Sequence, residues 1–207
     1  MAKTKAKVAV MVSGGGTNLQ AIIDAQKSGL IEKGEVVLVI ASREESGAIK
    51  RAEAAGLETH VVNKKHYADT ASFEDDLKKL IDGHEIDLIV LAGYRTILSK
   101  DFVRYYDHKI INLHPALIPA FSGEGMYAER PYEVALARGV KVSGATVHYV
   151  NEEPDGGEII AQKAVTVEPN DTVESLKQRI RQQAEWLILP VSIAKICRKI
   201  VAEKESK

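Results

Sequence analysis

The sequence contains very little cysteine and no excess of either charge. Its single cysteine, Cys197, excludes an intramolecular disulfide and a zinc site built on cysteine ligands. Because Cys197 stands in an apolar helical pattern, we expect a buried and unreactive thiol. The 28 lysines and arginines are balanced by 29 aspartates and glutamates, so the basic excess typical of nucleic-acid-binding proteins is missing. We therefore expect no nucleic-acid partner.

Long apolar runs are also missing. No stretch of about 18 residues is free of polar side chains, so no membrane-spanning helix and no membrane partner are predicted. The charged N-terminus does not resemble a secretory signal, and a cytoplasmic location is the default expectation. The hydrophobic fraction of 45% is nevertheless sufficient for a core without disulfides, and the length favours a single domain over residues 1–207.

Strand-like apolar runs alternate with helical patterns along the first part of the chain. The predicted strands are Val8–Val12, Glu35–Ala41, Thr59–Val62, Asp87–Ala92 and Lys109–Leu113, and the predicted helices are Leu19–Lys27, Ala48–Ala55 and Phe73–Ile81. This alternation favours an α/β fold with a doubly wound, mostly parallel, Rossmann-like sheet and right-handed crossovers.

The pattern changes after about residue 140. Lys141–Val150 and Glu158–Val167 are two further strand-like runs, and the loop Asn151–Gly157 between them contains Asp-Gly, a turn signal. We expect an antiparallel hairpin here. A long amphipathic helix should close the chain from Asp171 to about Ile200, with an interruption or kink at Pro190.

A glycine-rich turn follows the first predicted strand, in the sequence Ser13-Gly-Gly-Gly-Thr-Asn18. Leu19 stands where the dinucleotide-binding pattern requires its last glycine, and no lysine follows as in a phosphate-binding P-loop. Consecutive glycines before a helix still let the backbone approach an anion closely. A phosphate monoester on a small substrate fits best, and a simple tight turn is the alternative.

Two polar residues, Asn112 and His114, end the buried strand before Pro115. Side chains alternate along a strand, so both should point to the same side, at the sheet edge where open α/β proteins bind ligands. An amide beside an imidazole can stabilise an oxyanion, although a hydrogen-bonded core pair is the alternative. Asp155, taken alone, is typical of a turn.

The remaining histidines and acidic residues predict no metal site. His60, His66, His84 and His108 stand in segments that we expect to be exposed, and His148 is interpreted as a hydrogen-bonded core histidine on a strand.

Several of these segments together resemble the phosphoribosylglycinamide formyltransferases, the folate-dependent enzymes of purine biosynthesis. The resemblance covers roughly Val8 to Pro190. It is carried by Ser13-Gly-Gly-Gly-Thr-Asn-Leu-Gln-Ala-Ile, Leu91-Ala-Gly-Tyr94, Asn112-Leu-His-Pro-Ala-Leu-Ile-Pro119, Gly144-Ala-Thr-Val-His-Tyr-Val and Asp155-Gly-Gly. It implies a formyltransferase fold and transfer of a formyl group from 10-formyltetrahydrofolate, as co-substrate, to the amine of glycinamide ribonucleotide, without a metal.

The resemblance also implies roles for individual residues. The catalytic residues would be Asn112, His114 and Asp155; the substrate-binding residues, for phosphate and glycinamide, would be Gly15, Gly16, Thr17, Asn18, Gln182 and Glu185; the folate-binding residues would be Tyr94, Leu98, Asn151, Glu152, Glu153 and Pro154. Residues 1–114 would then form the phosphate-binding half and residues 115–207 the folate-side half. A homodimer is left open.

Two segments depart from the family pattern. Many members have an arginine one position later than Arg95, so the resemblance assigns no role to Arg95 or Thr96. The loop 120–131 looks longer than in some members and contains no histidine.

Other functions remain as alternatives. Methionyl-tRNA formyltransferase and formyltetrahydrofolate deformylase share the Asn/His/Asp trio, but we expect each to carry an additional domain. A non-catalytic nucleotide-binding module would explain the glycines and leave the Asn112/His114 pair without a purpose.

Overall fold

The computed structural model describes residues 4–206. The strands are β1 (Ala6–Val12), β2 (Gly34–Ala41), β3 (Glu58–Val61), β4 (Leu88–Leu91), β5 (Ile110–His114), β6 (Val142–Tyr149) and β7 (Ile159–Thr166). The helices are α1 (Thr17–Lys27), α2 (Gly47–Ala54), α3 (Thr70–Gly83), α4 (Lys100–Tyr105), α5 (Arg130–Arg138), α6 (Val173–Ile180) and α7 (Trp186–Glu205), with a 3₁₀ turn at Lys64–His66 and a π-helical turn at Arg181–Glu185.

All seven strands form one sheet in the order β3-β2-β1-β4-β5-β6-β7. The pairs from β3 to β5 are parallel, whereas β5 pairs with β6, and β6 with β7, in antiparallel fashion. The predicted mostly parallel sheet with a C-terminal antiparallel hairpin is therefore confirmed. The strand order reverses between β1 and β4, where open α/β sheets form a crevice at their carboxyl edge.

The sheet separates two hydrophobic cores. Along β1, Val8, Val10 and Val12 face a core that also contains residues of α1 and α7, while Ala9 and Met11 face a second core with residues of α3 and α4. All five side chains are fully buried. Strand side chains alternate between faces, and both faces here are covered by helices, which explains why Val8–Val12 is continuously apolar.

Polar caps determine where several helices begin. Asp69 accepts a hydrogen bond from the Ser72 amide and starts α3, and Ser99 caps α4 in the same way through the Phe102 amide. Thr172 and Ser175 form a reciprocal capping box at α6. These side chains pair amides that the first helical turn leaves without partners.

The C-terminal helical region differs from the prediction in one respect. It continues from α6 through the π-helical turn into α7, and Pro190 lies within α7 rather than at an interruption. The irregular turn therefore precedes the proline by several residues. Cys197 on α7 is fully buried, as predicted. Within residues 4–206, no helix combines the length and apolarity needed to cross a bilayer.

Gly144 provides a test of the β6–β7 packing. A Cβ at this position would lie 2.1 Å from the Lys163 carbonyl oxygen and 2.8 Å from the Leu117 side chain. We expect Gly144→Ala to lower the free energy of unfolding by about 1–3 kcal/mol or more, because the clashing oxygen is backbone of the adjacent strand. Gly83→Ala is the matched control, since a Cβ there has no neighbouring atom within 4 Å, and it should be neutral or stabilising by up to about 1 kcal/mol. Denaturant unfolding curves measure both, and equal midpoints would contradict the clash.

Candidate active site

The carboxyl ends of β1, β4 and β5 lie side by side. Met11 of β1 is in register with Leu91 of β4, and Leu91 with Asn112 of β5. Two strand spacings place the glycine-rich turn after Val12 on the order of 10 Å from the end of β5. The two segments singled out in the sequence therefore open onto the same edge of the sheet.

Asn112 and His114 lie on the same face of β5, as strand alternation predicts. The antiparallel partner β6 places His148 directly opposite Asn112 and Thr146 opposite His114. The Asn112 Nδ2 atom lies 3.2 Å from His148 Nε2. His114 and His148 are both buried, so this end of the strand pair forms a polar cluster within the protein.

Asp155 reaches this cluster from the loop between β6 and β7. Its Oδ2 atom lies 3.3 Å from His114 Nδ1, and its Oδ1 atom lies 3.5 Å from His148 Nε2. The Gly123 amide donates a 2.9 Å hydrogen bond to Oδ2. The backbone of Asp155 has a φ of 56°, a left-handed conformation that Asp and Asn adopt more readily than most residues. Asp155 is therefore both a turn residue and part of the cluster.

Each ring nitrogen of His114 faces an oxygen. Nδ1 faces Asp155, and Nε2 lies 2.8 Å from the Phe121 carbonyl oxygen. Burial lowers the pKa of His114, and the negative charge of Asp155 and the hydrogen bond to Phe121 oppose that effect. The loop 120–131 thus contributes backbone groups of Phe121 and Gly123 to the cluster.

The carboxyl group of Asp155 is stabilised in its ionised form. Burial by itself raises its pKa, but the charge of the His114 imidazole and the hydrogen bond from the Gly123 amide help to hold the pKa below its ordinary value. A carboxylate is therefore present beside His114 at neutral pH, where it favours the imidazolium.

His148 is the residue in this cluster that the sequence did not assign to the site. The interpretation as a buried, hydrogen-bonded histidine is correct, but two of its neighbours are Asn112 and Asp155. The register of the β5–β6 pair would have identified it: β6 runs antiparallel to β5, which brings residue 148 opposite residue 112.

The four histidines expected at the surface divide into two pairs. His66 and His108 are exposed, whereas His60 and His84 are half-buried and contact the carboxylate of Glu58 at 2.7 and 3.1 Å. Neither pair contributes a side chain to the cluster around His114.

The glycine-rich turn ends at Gly16, where the backbone adopts φ 74° immediately before α1. A Cβ at Gly16 would lie 2.6 Å from the Ala48 Cα atom, so both conformation and space require glycine. The first intrahelical bond runs from the Gln20 amide to Gly16, which leaves the amides of Thr17 and Asn18 ahead of it. These amides lie at the positive end of the helix dipole and suit an anion.

Glu185 connects the C-terminal helical region to this turn. Asn18 Nδ2 donates a 2.9 Å hydrogen bond to Glu185 Oε2, and the Tyr132 hydroxyl lies 3.5 Å from Oε1. Glu185 is buried, and burial raises the pKa of its carboxyl group despite the hydrogen bond from Asn18. Gln182, in the same π-helical turn, is exposed. Glu185 and Asn18 are thus brought together, and Gln182 is not part of their contact.

The residues that the resemblance assigns to folate lie in two loops. Tyr94 and Leu98, after β4, pack on the same core as Val150, which precedes Asn151. Burial raises the pKa of Tyr94 to about 12.

The second of these loops, 151–154, is mostly exposed. Asn151, Glu153 and Pro154 are at the surface. Glu152 forms two hydrogen bonds with Arg104 at 2.5 and 2.8 Å, so its carboxylate holds this loop against α4.

A cavity of about 700 Å³ opens beside the glycine-rich turn, on the side of β2 and β3, and the Asn112/His114/Asp155 cluster does not line it. Its lining residues are Ser13, Ser42, Arg43, Glu44, Glu45, Asn63, Lys64, Lys65, His66, Arg95 and Thr96. Four lysines and arginines outnumber two glutamates here, so the cavity suits anionic groups. In the described part of the chain, no group of three or more His, Cys, Asp or Glu side chains is arranged to hold a metal ion.

The chain is similar over most of its length to known formyltransferases. A family model described as formyl transferase matches residues 6–192. A phosphoribosylglycinamide formyltransferase of Haemophilus influenzae is 38% identical over 187 residues, which cover 90% of this chain and 85% of that protein. The crystal structure of glycinamide ribonucleotide transformylase 1 from Symbiobacterium toebii superposes with a TM-score of 0.88 at 36% identity, covering 94% of this chain and 89% of that one.

A longer relative contains a similar segment. The trifunctional purine biosynthetic protein adenosine-3 of Homo sapiens is 39% identical over 191 residues. The match covers 92% of this chain and 18% of the human protein, so this chain spans only a small part of the trifunctional relatives that it matches.

The buried carboxyl group of Glu185 should make the unfolding free energy depend on pH. Its folded-state pKa is raised, so its contribution to stability is fully present below the unfolded pKa and is lost as the pH rises through the folded pKa. Glutamine does not ionise, so the Glu185→Gln variant does not lose stability as the pH rises. Its side-chain oxygen can still accept the hydrogen bond from Asn18. We expect its unfolding free energy to exceed that of the wild type by an amount that increases with pH, measured by urea unfolding between acidic and mildly alkaline pH. Glu53→Gln, at an exposed position of α2, is the control, and a Glu185→Gln difference independent of pH would contradict the assignment.

Proposed function

Because this chain belongs to the formyl transferase family, we propose that it transfers the formyl group of 10-formyltetrahydrofolate to the amine of 5′-phosphoribosylglycinamide. The products are N-formylated phosphoribosylglycinamide and tetrahydrofolate, in purine biosynthesis. Supporting this choice of substrate, a relative named phosphoribosylglycinamide formyltransferase aligns with 90% of the chain. The observation that carries the proposal is the convergence of Asn112, His114 and Asp155, from β5 and a separate loop, beside the glycine-rich turn.

In this proposal the first half of the chain supplies the phosphate site, and both halves contribute to the glycinamide and folate sites. Residues 1–114 supply the phosphate site, in which the backbone amides of Gly15, Gly16, Thr17 and Asn18 bind the phosphate of the ribonucleotide. The carboxylate of Glu185, held by Asn18, lies beside this site and binds the glycinamide portion together with Gln182. Residues 115–207 contribute the loop Asn151–Pro154, which binds the folate opposite Tyr94 and Leu98.

The reaction exchanges one carbon–nitrogen bond for another. The amine nitrogen of the glycinamide forms a bond to the formyl carbon, and its electron pair displaces the carbonyl electrons onto oxygen. The tetrahedral intermediate then breaks the bond between that carbon and N10 of the folate. One proton leaves the attacking amine and one is delivered to N10, so the transfer is balanced without an oxidant or a metal. Binding both substrates at one sheet edge supplies proximity.

Asn112 and His114 stabilise the intermediate. An Asn112 N–H and a protonated His114 donate hydrogen bonds to the oxyanion, in a buried environment where such bonds are strong. His114 Nε2 is bonded to the Phe121 carbonyl in this structure, so the reacting group has to replace that carbonyl. Asp155 orients the ring through Nδ1, favours its charged form and assists proton transfer from the amine to N10, through water.

A single assay with three mixtures tests this function. Purified protein with 10-formyltetrahydrofolate and glycinamide ribonucleotide should release tetrahydrofolate and form the N-formyl product. Replacing the acceptor with methionyl-tRNA tests the tRNA formyltransferase alternative, and omitting any acceptor while measuring formate tests the deformylase alternative. Turnover only in either of those two mixtures would overturn the proposal, and none in all three would favour the non-catalytic module.

Asp155→Asn separates the catalytic role from the turn. Asn adopts the same left-handed conformation as Asp, so the variant should fold. Its thermal midpoint should fall by about 2–4 °C per kcal/mol of the stability that the ionised carboxylate contributes. The loss of the negative charge removes support for the His114 imidazolium, and turnover should fall roughly 10²-fold or more. The inflection of the pH–rate profile that belongs to His114 should move to lower pH, because Asp155 raises the pKa of that ring. Asp107→Asn, at an exposed turn, is the control. Wild-type turnover with an unshifted profile would return Asp155 to a purely structural role.

Gly15→Ala tests the phosphate site. A Cβ at Gly15 has no protein atom within 4 Å, so the fold accommodates it, whereas a bound phosphate approaching the backbone would meet it. We expect the KM for glycinamide ribonucleotide to rise by about 10-fold or more and the KM for the folate to change little. Equal increases in both constants would remove the support for phosphate binding at this turn.

A further inference from the structure

His148 is the one buried ring in the cluster without a role in the proposed mechanism. It is 1% exposed and has a defined polar neighbour at each nitrogen. Nδ1 lies 2.8 Å from the Tyr149 carbonyl oxygen, and Nε2 lies 3.2 Å from Asn112 Nδ2. Asp155 Oδ1 is farther from Nε2, at 3.5 Å.

These contacts determine the tautomer of the ring. A carbonyl oxygen can only accept a hydrogen bond, so Nδ1 must carry a hydrogen. In the neutral ring Nε2 then has a lone pair, which accepts a hydrogen bond from the Asn112 amide group. A hydrogen on Nε2 would instead point at the Asn112 N–H groups at 3.2 Å, and its alternative acceptor, Asp155, is more distant.

The orientation of Asn112 matters because the two ends of its amide have nearly the same shape and opposite hydrogen-bonding character. An N–H stabilises an oxyanion, whereas the carbonyl oxygen repels it. From this geometry we infer that His148, as the neutral Nδ1–H tautomer, is a positioning residue that holds the Asn112 amide with its nitrogen at Nε2. One N–H then bonds to His148 and the second is left for the oxyanion.

The two histidines then have different roles. The oxyanion role of Asn112, which His148 supports, rests on the proposed function. His114 is paired with Asp155, where a charged ring is favoured by the carboxylate. His148 is paired with Asn112, where a neutral ring is required. Each ring has a backbone carbonyl at one nitrogen, Phe121 for His114 and Tyr149 for His148, and the two rings differ at the other nitrogen. That nitrogen faces the Asp155 carboxylate in His114 and lies nearest the Asn112 amide in His148.

The tautomer can be measured without activity. In protein labelled with ¹⁵N-histidine, the ring signals of His148 are assigned by their absence in His148→Gln. We expect a protonated Nδ1 and an unprotonated Nε2 at neutral pH. An Nε2–H tautomer or a doubly protonated ring at that pH would overturn the inference, whether or not the proposed formyl transfer is confirmed.

Two substitutions test the positioning role in the kinetics. His148→Phe keeps a flat ring and removes the acceptor, and His148→Gln offers a side-chain oxygen near the position of Nε2. We expect kcat to fall about 10–10²-fold in His148→Phe, with the KM of both substrates changed by less than about threefold, because the lost interaction acts in the transition state. His148→Gln should recover most of the loss. Equal kcat values in the two folded variants would overturn the role of the acceptor.

A double-mutant cycle identifies the partner through which His148 acts. In the Asn112→Ala background, His148→Phe should change kcat by less than about twofold, because the group that it positions is already gone. An undiminished effect in that background would show that His148 acts elsewhere and would overturn the inference. If His148→Phe fails to fold, His148→Leu, which also lacks the acceptor, replaces it in both experiments with the same expectations. Failure of the wild-type assay would reject the proposed function while leaving the tautomer measurement to decide the geometry.

Discussion

Strand β5 has a parallel neighbour on one side and an antiparallel neighbour on the other, and the site depends on both pairings. The parallel pairing aligns its carboxyl end with those of β4 and β1, and therefore with the glycine-rich turn. The antiparallel pairing brings side chains of β6 directly across from Asn112 and His114, at the short distances that only opposite residues reach. A shift of one residue in either register would move these polar groups to the opposite core. The hairpin thus provides the groups that a purely parallel sheet would lack at this edge.

A second long-range contact connects the two ends of the chain. Asn18 and Glu185 are 167 residues apart in sequence and share a hydrogen bond. An ionised carboxylate buried at this point opposes folding, since its hydration is only partly replaced by one amide and a distant hydroxyl. A buried carboxylate of this kind is expected where it binds a ligand, which agrees with the proposed role of Glu185 toward the glycinamide. The same stretch of helix contains the π-helical turn, and irregular turns of this kind often occur at functional sites.

Strands and helices could be predicted from the sequence where apolar and polar side chains recur with the spacing of a strand or a helix. The ten predicted strand and helix segments up to β7 lie within about three residues of their observed bounds, because apolar runs and alternation report burial directly. The short helices α4 and α5 were not predicted: α4 has six residues, too few to show a helical period, and α5 follows an irregular loop. Backbone groups could not be predicted at all. The Phe121 carbonyl and the Gly123 amide reach the trio through loop conformation, which is independent of their side chains.

The left-handed backbone at Asp155 limits how this position can change by mutation. Two requirements meet on one residue: a carboxylate for His114 and a backbone angle of φ 56°. Glutamate would retain the charge but would adopt that angle at a cost of roughly 1–2 kcal/mol, with a side chain too long for the observed distance. Asparagine and glycine would fit the backbone and lose the charge. Under the proposed mechanism, the changes most easily tolerated by folding at this loop are therefore those that abolish turnover, and selection acting on stability alone would not remove them. Inactive copies of such a chain would therefore persist as well-folded proteins.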